Sequence, residues 1–360
     1  MRVEADGDNE WSRTGVFEVV PGVYRIPLPL PNDGLRAVNV YAITHDGGAV
    51  LIDSGWAMAK AGAVLADALA ALDRSLPDVE RFLVTHVHRD HYTQAVHIRR
   101  ELGTPVALGI GEKPAIEEAG RPDRLPLETQ LAQLRRCGAH QLAAQVAESA
   151  GLQQDIDGGD FEAPDHWLEH GQLIAAGSRT LDVVATPGHT QGHVVFHDMA
   201  GGLLFAGDHV LPRITPSVGF EPVLAPNPLG DFLHSLAKVR ARDDATLLPA
   251  HGPVVPSAHR RIDELLDHHA ARLEHLERAA LGGADTAYEA AQRLSWTRRA
   301  TPLLDLDPFN QMLAVCETAV HLDLLVAQGR LDSTCTHDVR HYHRPSGVQA
   351  GPGPLSAGST

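Results

Sequence analysis

The sequence predicts an α/β protein in which two β-sheets are covered by helices, with a smaller helical region after them. Three observations predict it. Short apolar runs recur along the chain, each closed by a turn bearing Gly, Asp or His. Ala- and Leu-rich stretches with helical spacing alternate with these runs. After Pro256 the strand pattern gives way to helical periodicity.

Taken in order, strand material begins at Val16–Val20 and continues in Val23–Ile26, Val38–Ile43 and Ala49–Asp53. Met58–Leu72 has helical spacing. Val79–Thr85 reads as a strand, and the stretch from His91 through Arg100 as a helix, so residues 86–91 lie on a strand-to-helix loop. Val106–Gly109 is a further strand. Residues 111–165 form a helical insertion, within which Leu127–Gly151 reads as one helix with Leu131, Leu134, Leu142 and Val146 as its apolar positions; it is expected to cap the site described next, the alternative being a helix packed on the far side of the sheet. Leu181–Ala185, Gly202–Ala206 and Thr246–Ala250 are short strands, and a helix starts at Leu229. Beyond Pro256, Ala258–Leu281, Thr286–Leu294 and Phe309–Gln328 read as helices, with a hairpin over Arg330–His343. The expected organisation is a disordered stretch 1–15, a catalytic domain 16–256, a helical domain 257–343 and a disordered Gly/Pro/Ser-rich tail 344–360.

The chemistry is concentrated in His86-Val87-His88-Arg89-Asp90-His91. Imidazole and carboxylate donors suit zinc and its first-row neighbours, and none of Cys137, Cys316 and Cys335 is near. On such a loop His86 and His88 can face one point while Asp90 and His91 face a second about 3.5–4 Å away, the usual two-metal separation. His189, Asp208 and His251 each follow one of the later strands at a Gly-flanked turn.

The order His-x-His-x-Asp-His, Gly188-His189, Gly207-Asp208 and Pro249-Ala250-His251-Gly252, preceded by Asp53-Ser54-Gly55, resembles the metallo-β-lactamase fold superfamily over roughly residues 17–256. The resemblance implies a four-layer αββα sandwich with His86, His88 and His189 on one metal, and Asp90, His91 and His251 on a second. Asp208 would bridge them. It implies two divalent ions, Zn2+ before Fe or Mn, sharing a bridging hydroxide that attacks the substrate. Asp90 would be the catalytic residue that orients this hydroxide and passes a proton to the leaving group. Asp53 is a candidate for holding a ligand histidine in its tautomer, Tyr92 for lining the pocket and Arg213 for reaching an anionic substrate group. His193 and His209, each beside a ligand, are left open between packing and donating to the site.

Within the superfamily the chain resembles the glyoxalase II-like and β-lactamase-like protein 2-like branches, the latter through a C-terminal region like a winged helix. That region is expected to wall the active site or form a homo-oligomer interface. Two departures narrow the chemistry. Asp208 stands where zinc β-lactamases of the best-known subclass carry Cys, and His88 stands where flavodiiron proteins carry Glu. Tyr92-Thr93 replaces the small Gly-rich pair usual in glyoxalase II. The expected function is hydrolysis of a small-molecule thioester or related carboxyl ester. The alternatives are a lactonase, a metal-dependent endoribonuclease or phosphodiesterase, and a non-catalytic metal-binding regulatory protein.

Bulk properties agree with an enzyme acting on small molecules. The formal charge of −16 argues against a nucleic-acid backbone as the main partner. The polar N-terminal stretch and the want of a long apolar run lead to the expectation of a cytoplasmic protein with no membrane partner, and three scattered cysteines to reduced thiols.

Overall fold

The computed structural model describes residues 10–346 apart from 32–33, 122, 126, 152–159 and 298. The chain divides into two compact units, with boundaries between Gln130 and Leu131, Val146 and Ala147, and His269 and Ala270.

The first unit contains two sheets. One has seven strands in sequential order: β1 (Phe17–Val20), β2 (Val23–Pro29), β3 (Ala37–His45), β4 (Gly48–Ile52), β5 (Val79–Val84), β6 (Val106–Gly109) and β7 (His166–Leu168). It is antiparallel up to β4 and parallel from β4 to β7. The other runs β12 (Thr246–Pro249), β11 (Leu203–Gly207), β10 (Val194–Asp198), β9 (Arg179–Ala185) and β8 (Leu173–Ala176), antiparallel except for the parallel β11–β12 pair.

Period-2 alternation assigns the faces. Tyr41, Ile43, Val50, Ile52 and Leu83 join Leu181, Val183, Phe196, Phe205 and Leu248 in one buried cluster between the sheets. The intervening Val40, Ala42, Leu51, Phe82 and Val84 turn outward. They pack with Ala61, Leu65 and Leu69 of α1 (Ala59–Ala70) and Tyr92, Ala95 and Val96 of α2 (Arg89–Leu102). Truncating a fully buried side chain such as Phe82 would cost about 3–5 kcal/mol.

Short α3 (Lys113–Ala119) follows β6. The single helix expected over Leu127–Gly151 is two, α4 (Glu128–Arg136) and α5 (His140–Gly151). Gly138 breaks it, in the left-handed region at φ +81°. Leu131–Val146 is not part of the sandwich unit but belongs to the second. On the sandwich's second sheet, α6 (Pro228–Arg240) is tied to the end of β9: Ser235 Oγ donates to Pro187 O at 2.9 Å and Lys238 Nζ to Ala185 O at 2.7 Å. With α1 and α2 on the first sheet, this makes the helix–sheet–sheet–helix layering of the metallo-β-lactamase fold.

The expected domain boundary at residue 257 falls too early. The first turns of α7 (Ala258–Leu281) belong to the sandwich unit, because Ile262 and Leu265 are fully buried and Arg261 donates to Leu211 O and Ile214 O. The N-terminal stretch 1–15 is not wholly without structure. Trp11 is buried in a helical turn over Glu10–Ser12, its carbonyl held by Arg25 at 2.5 Å. Residues 1–9 and 347–360 lie outside the described residues.

In the second unit, Tyr288 N donates to Cys137 O at 3.1 Å. A capping box at Thr286 and Glu289 opens α8 (Ala287–Gln292). The two-residue strands β13 (Ser295–Trp296) and β14 (Thr301–Pro302) precede α9 (Pro308–Ala327), which buries Met312, Val315, Leu322 and Leu325. The expected hairpin is β15 (Asp332–Thr336) and β16 (Val339–His343); its turn residues His337 and Asp338 both have positive φ, matching the twist of the strands. Among the described residues no helix is long and apolar enough to cross a membrane.

Candidate metal centre

The four predicted ligand-bearing segments follow the C-terminal ends of β5, β9, β11 and β12. Among the described residues, the side chains converge in two groups: His86, His88, His189 and Asp208, and Asp90, His91 and His251.

In the first group His88 Nδ1 lies 3.0 Å from both His86 Nε2 and His189 Nε2. Three nitrogens ~2 Å from one tetrahedral ion would stand ~3.3 Å apart, close to this spacing. The far nitrogens are anchored. His86 Nδ1 lies 3.1 Å from Thr85 Oγ1, and His189 Nδ1 lies 2.7 Å from Ser217 O.

In the second group His251 Nε2 lies 3.3 Å from Asp90 Oδ2 and 3.4 Å from Asp208 Oδ1. His91 Nε2 lies 3.6 Å from Asp90 Oδ2 and 3.8 Å from Asp208 Oδ1. The other oxygen of Asp208, Oδ2, faces the first group at 3.5 Å from His189 Nε2. One carboxylate therefore addresses both groups. His251 Nδ1 is fixed 2.8 Å from Ala37 O.

Asp53 builds the support beneath. Its backbone is left-handed at φ +60°, and its Oδ1 accepts from Thr85 N at 2.8 Å and Thr85 Oγ1 at 2.9 Å. Its Oδ2 lies 2.9 Å from His91 Nδ1, which holds that ring with Nε2 toward the centre. Ser54 Oγ donates to His91 O at 2.6 Å.

The two groups differ electrically. Burial, reinforced by neighbouring imidazoles, pushes His86 well down and His88 to about 3, leaving both neutral with lone pairs available. Burial also acts on His91 and His251, but the carboxylates of Asp90 and Asp208, with Asp53 beside His91, outweigh it and raise them to about 10 and about 9. Burial opposes ionisation of Asp90, yet the charges of His91 and His251 hold its carboxyl well below the usual carboxylate range.

Divalent ions fit this donor set. His91 Nε2, His251 Nε2 and Asp208 Oδ1 are buried with no hydrogen-bond partner among the described residues, a cost a metal would remove. None of the three cysteines joins either group.

Two expectations need correction or completion. Tyr92, expected to line the pocket, is fully buried on α2, and its hydroxyl donates to Glu162 O at 2.5 Å. Arg213 is half-buried on the loop after β11. His193, left open from sequence, is buried against the site. Its ring stacks on His86 at 5.0 Å, its Nδ1 lies 2.9 Å from Thr186 Oγ1, and its Nε2 accepts the Asp208 N–H at 3.2 Å. His209 packs edge-on against Phe232 at 5.2 Å. Gly207 makes room for this arrangement. A Cβ there would stand 2.6 Å from Thr85 Oγ1 and 2.8 Å from His193 Nε2.

The family model of the metallo-beta-lactamase superfamily matches residues 33–251, which include all seven clustered side chains. The chain belongs to the metallo-beta-lactamase superfamily. A metallo-beta-lactamase family protein from Thermus thermophilus is similar in structure, with a TM-score of 0.73 and 28% identity over 91% of this chain and 100% of that one. A probable metallo-hydrolase of Bacillus subtilis, YqjP, is 25% identical over 328 residues, 86% of this chain and 93% of the relative. An atrochrysone carboxyl ACP thioesterase of Paecilomyces divaricatus is 33% identical over 116 residues, 31% of this chain and 34% of the relative. With this membership, the chain is a metal-dependent hydrolase of the superfamily.

Proposed function

We propose that the protein is a two-metal hydrolase of thioesters or related carboxyl esters. The observation that carries the two-metal part is Asp208, whose two oxygens face two separate groups of imidazoles. In this reading His86, His88 and His189 hold one ion, Asp90, His91 and His251 the other, and Asp208 both. Two ions so held would acidify a shared water and polarise the carbonyl oxygen under attack. Donors of nitrogen and oxygen alone favour zinc, and iron or manganese are also compatible.

Asp90 is the residue assigned to proton handling. Its side chain is 17% exposed against 10% for Asp208, so it is the carboxylate better placed to pass a proton to solvent or a leaving group. Asp53 fixes the His91 tautomer from below. Arg213, close after Asp208 in the chain, is assigned to a negatively charged part of the substrate. The thioester class is supported by the similarity to the acyl-carrier-protein thioesterase over a third of the chain.

The test is turnover by protein of measured metal content on acyl-CoA and acyl-glutathione thioesters, a lactone, bis-p-nitrophenyl phosphate and single-stranded RNA. Thioester turnover that chelation abolishes is expected. Cleavage confined to the phosphodiesters would overturn the assignment.

A further inference from the structure

Glu112 is a charged residue type with no exposed surface, and the site as described so far gives it no task. It sits at the N-terminal edge of α3, where the chain leaving β6 crosses the loop after His189 with no side chain between the two backbones. Gly109 and Gly192 are both at this crossing: a Cβ on Gly109 would overlap Gly192 O, and one on Gly192 would overlap the amide nitrogen of Glu112. At Gly111 a Cβ would stand 2.6 Å from Gln191 O. The close approach carries the Glu112 carboxyl between two ligand-bearing segments.

There Oε1 gathers donors from both. The Val87 N–H, between His86 and His88, reaches it at 3.4 Å; the Thr190 hydroxyl, next to His189, donates to it, and so does the Gly192 N–H to the carboxyl group. Oε2 has no partner among the described residues. A second buried acid, Glu221, completes the hold by accepting the Gln191 N–H at 2.7 Å. Thr190, Gln191 and Gly192 are thus each tied to one of two buried carboxyls.

We propose that Glu112 is a positioning residue for one half of the metal centre: by accepting from the His86–His88 loop and the His189 loop at once, it sets the spacing of those three imidazoles. The second group is held by Asp53 and the Ala37 carbonyl, so Glu112 acts on one ion and not on the other. Burial pushes the Glu112 carboxyl up, and the hydrogen bonds donated to it from both loops oppose that push by favouring the carboxylate. The proposal rests on the two-metal reading above.

Equilibrium dialysis of the full chain against Zn2+ and Co2+, with elemental analysis and Co2+ absorption spectra, tests it. Wild type is expected to bind two equivalents. Glu112→Ala should keep one at wild-type affinity and bind the other at least about 10-fold more weakly, in the range found for outer ligand supports. Its remaining Co2+ spectrum should match that of His189→Ala. Glu112→Gln, which keeps the acceptor oxygen, should stay within a few-fold of wild type. Thr190→Val, which removes one donor, should weaken the same equivalent by less, and it carries the test if Glu112→Ala does not fold. Unchanged binding in the folded variants, equal loss of both equivalents, or a Glu112→Gln as impaired as Glu112→Ala would overturn the proposal. A wild type binding fewer than two equivalents would instead remove the two-metal reading, and this inference with it.

Discussion

The two halves of the site use the same side chains to opposite electrical ends. On the His86, His88 and His189 side, rings anchored by a threonine hydroxyl and a backbone carbonyl are neutral, and their lone pairs already face one another. On the Asp90, His91 and His251 side, carboxylates raise two imidazoles to about 10 and about 9, so protons occupy the place of positive charge. The difference teaches that burial alone prepares an imidazole to bind a cation, whereas burial beside carboxylates makes it bind a proton first. Asp208 is the group common to both environments.

The sharpest way to break the comparison is therefore Asp208→Ala. It should deplete both ions and lower turnover by at least about 100-fold, the upper range for losing even an outer support; elemental analysis showing one ion fully retained would contradict the shared role. Asp53→Asn should affect the second half most, through His91, and the first more weakly through Thr85, whose hydroxyl donates to Asp53 and lies against His86. The amide keeps the backbone but not the charge that holds His91, and metal affinity in the second half should fall about 10–100-fold, read by competition with a chromogenic chelator.

Acidity separates the halves further. Below about 9 to 10 a metal entering the second half must displace the protons of His91 and His251. Its affinity should rise with pH up to that range, while the first half, with His88 neutral down to about 3, changes little above about pH 5. Calorimetry in buffers of different ionisation enthalpy should register about two protons released at neutral pH; none released would refute the contrast. In the metal-free chain the same raised histidines stabilise the fold fully below about pH 6.5, and that stabilisation is lost as pH rises through about 9 to 10. The smallest expected effect lies outside both halves. Tyr92→Phe should cost about 1 kcal/mol in denaturant unfolding and leave kcat/KM unchanged.

The convergence of the seven side chains was readable because they follow strand ends, where apolar runs stop and Gly-flanked turns begin. The two sheets and their covering helices were readable from apolar runs alternating with helical stretches, but in a run such as Val50-Leu51-Ile52, apolar throughout, the parting of the faces between two clusters is visible only in the structure. Other features have no local signature. Glu112 stands beside Lys113 with further acids at Glu117 and Glu118, like many solvated glutamates, and only the crossing of two backbones makes it buried. His193 differs in sequence from no surface histidine; the Asp208 amide above it defines its role. Helical periodicity runs through Gly138 without faltering, so the break there is visible only in the backbone angles. The unit boundary inside α7 is hidden for the same reason, since a continuous helix carries one pattern across it.

The left-handed backbone of Asp53 has a consequence for mutational tolerance. At φ +60° side chains are disfavoured, with Asn, Asp and Gly the main exceptions. Gly offers no acceptor, Asn offers one oxygen and an amide where two oxygens now receive Thr85 and His91, and Glu adds a methylene to a side chain with no room to lengthen. Steric and chemical filters thus pass different residues and overlap at one. A saturation library at this position, selected for hydrolysis, should return aspartate alone.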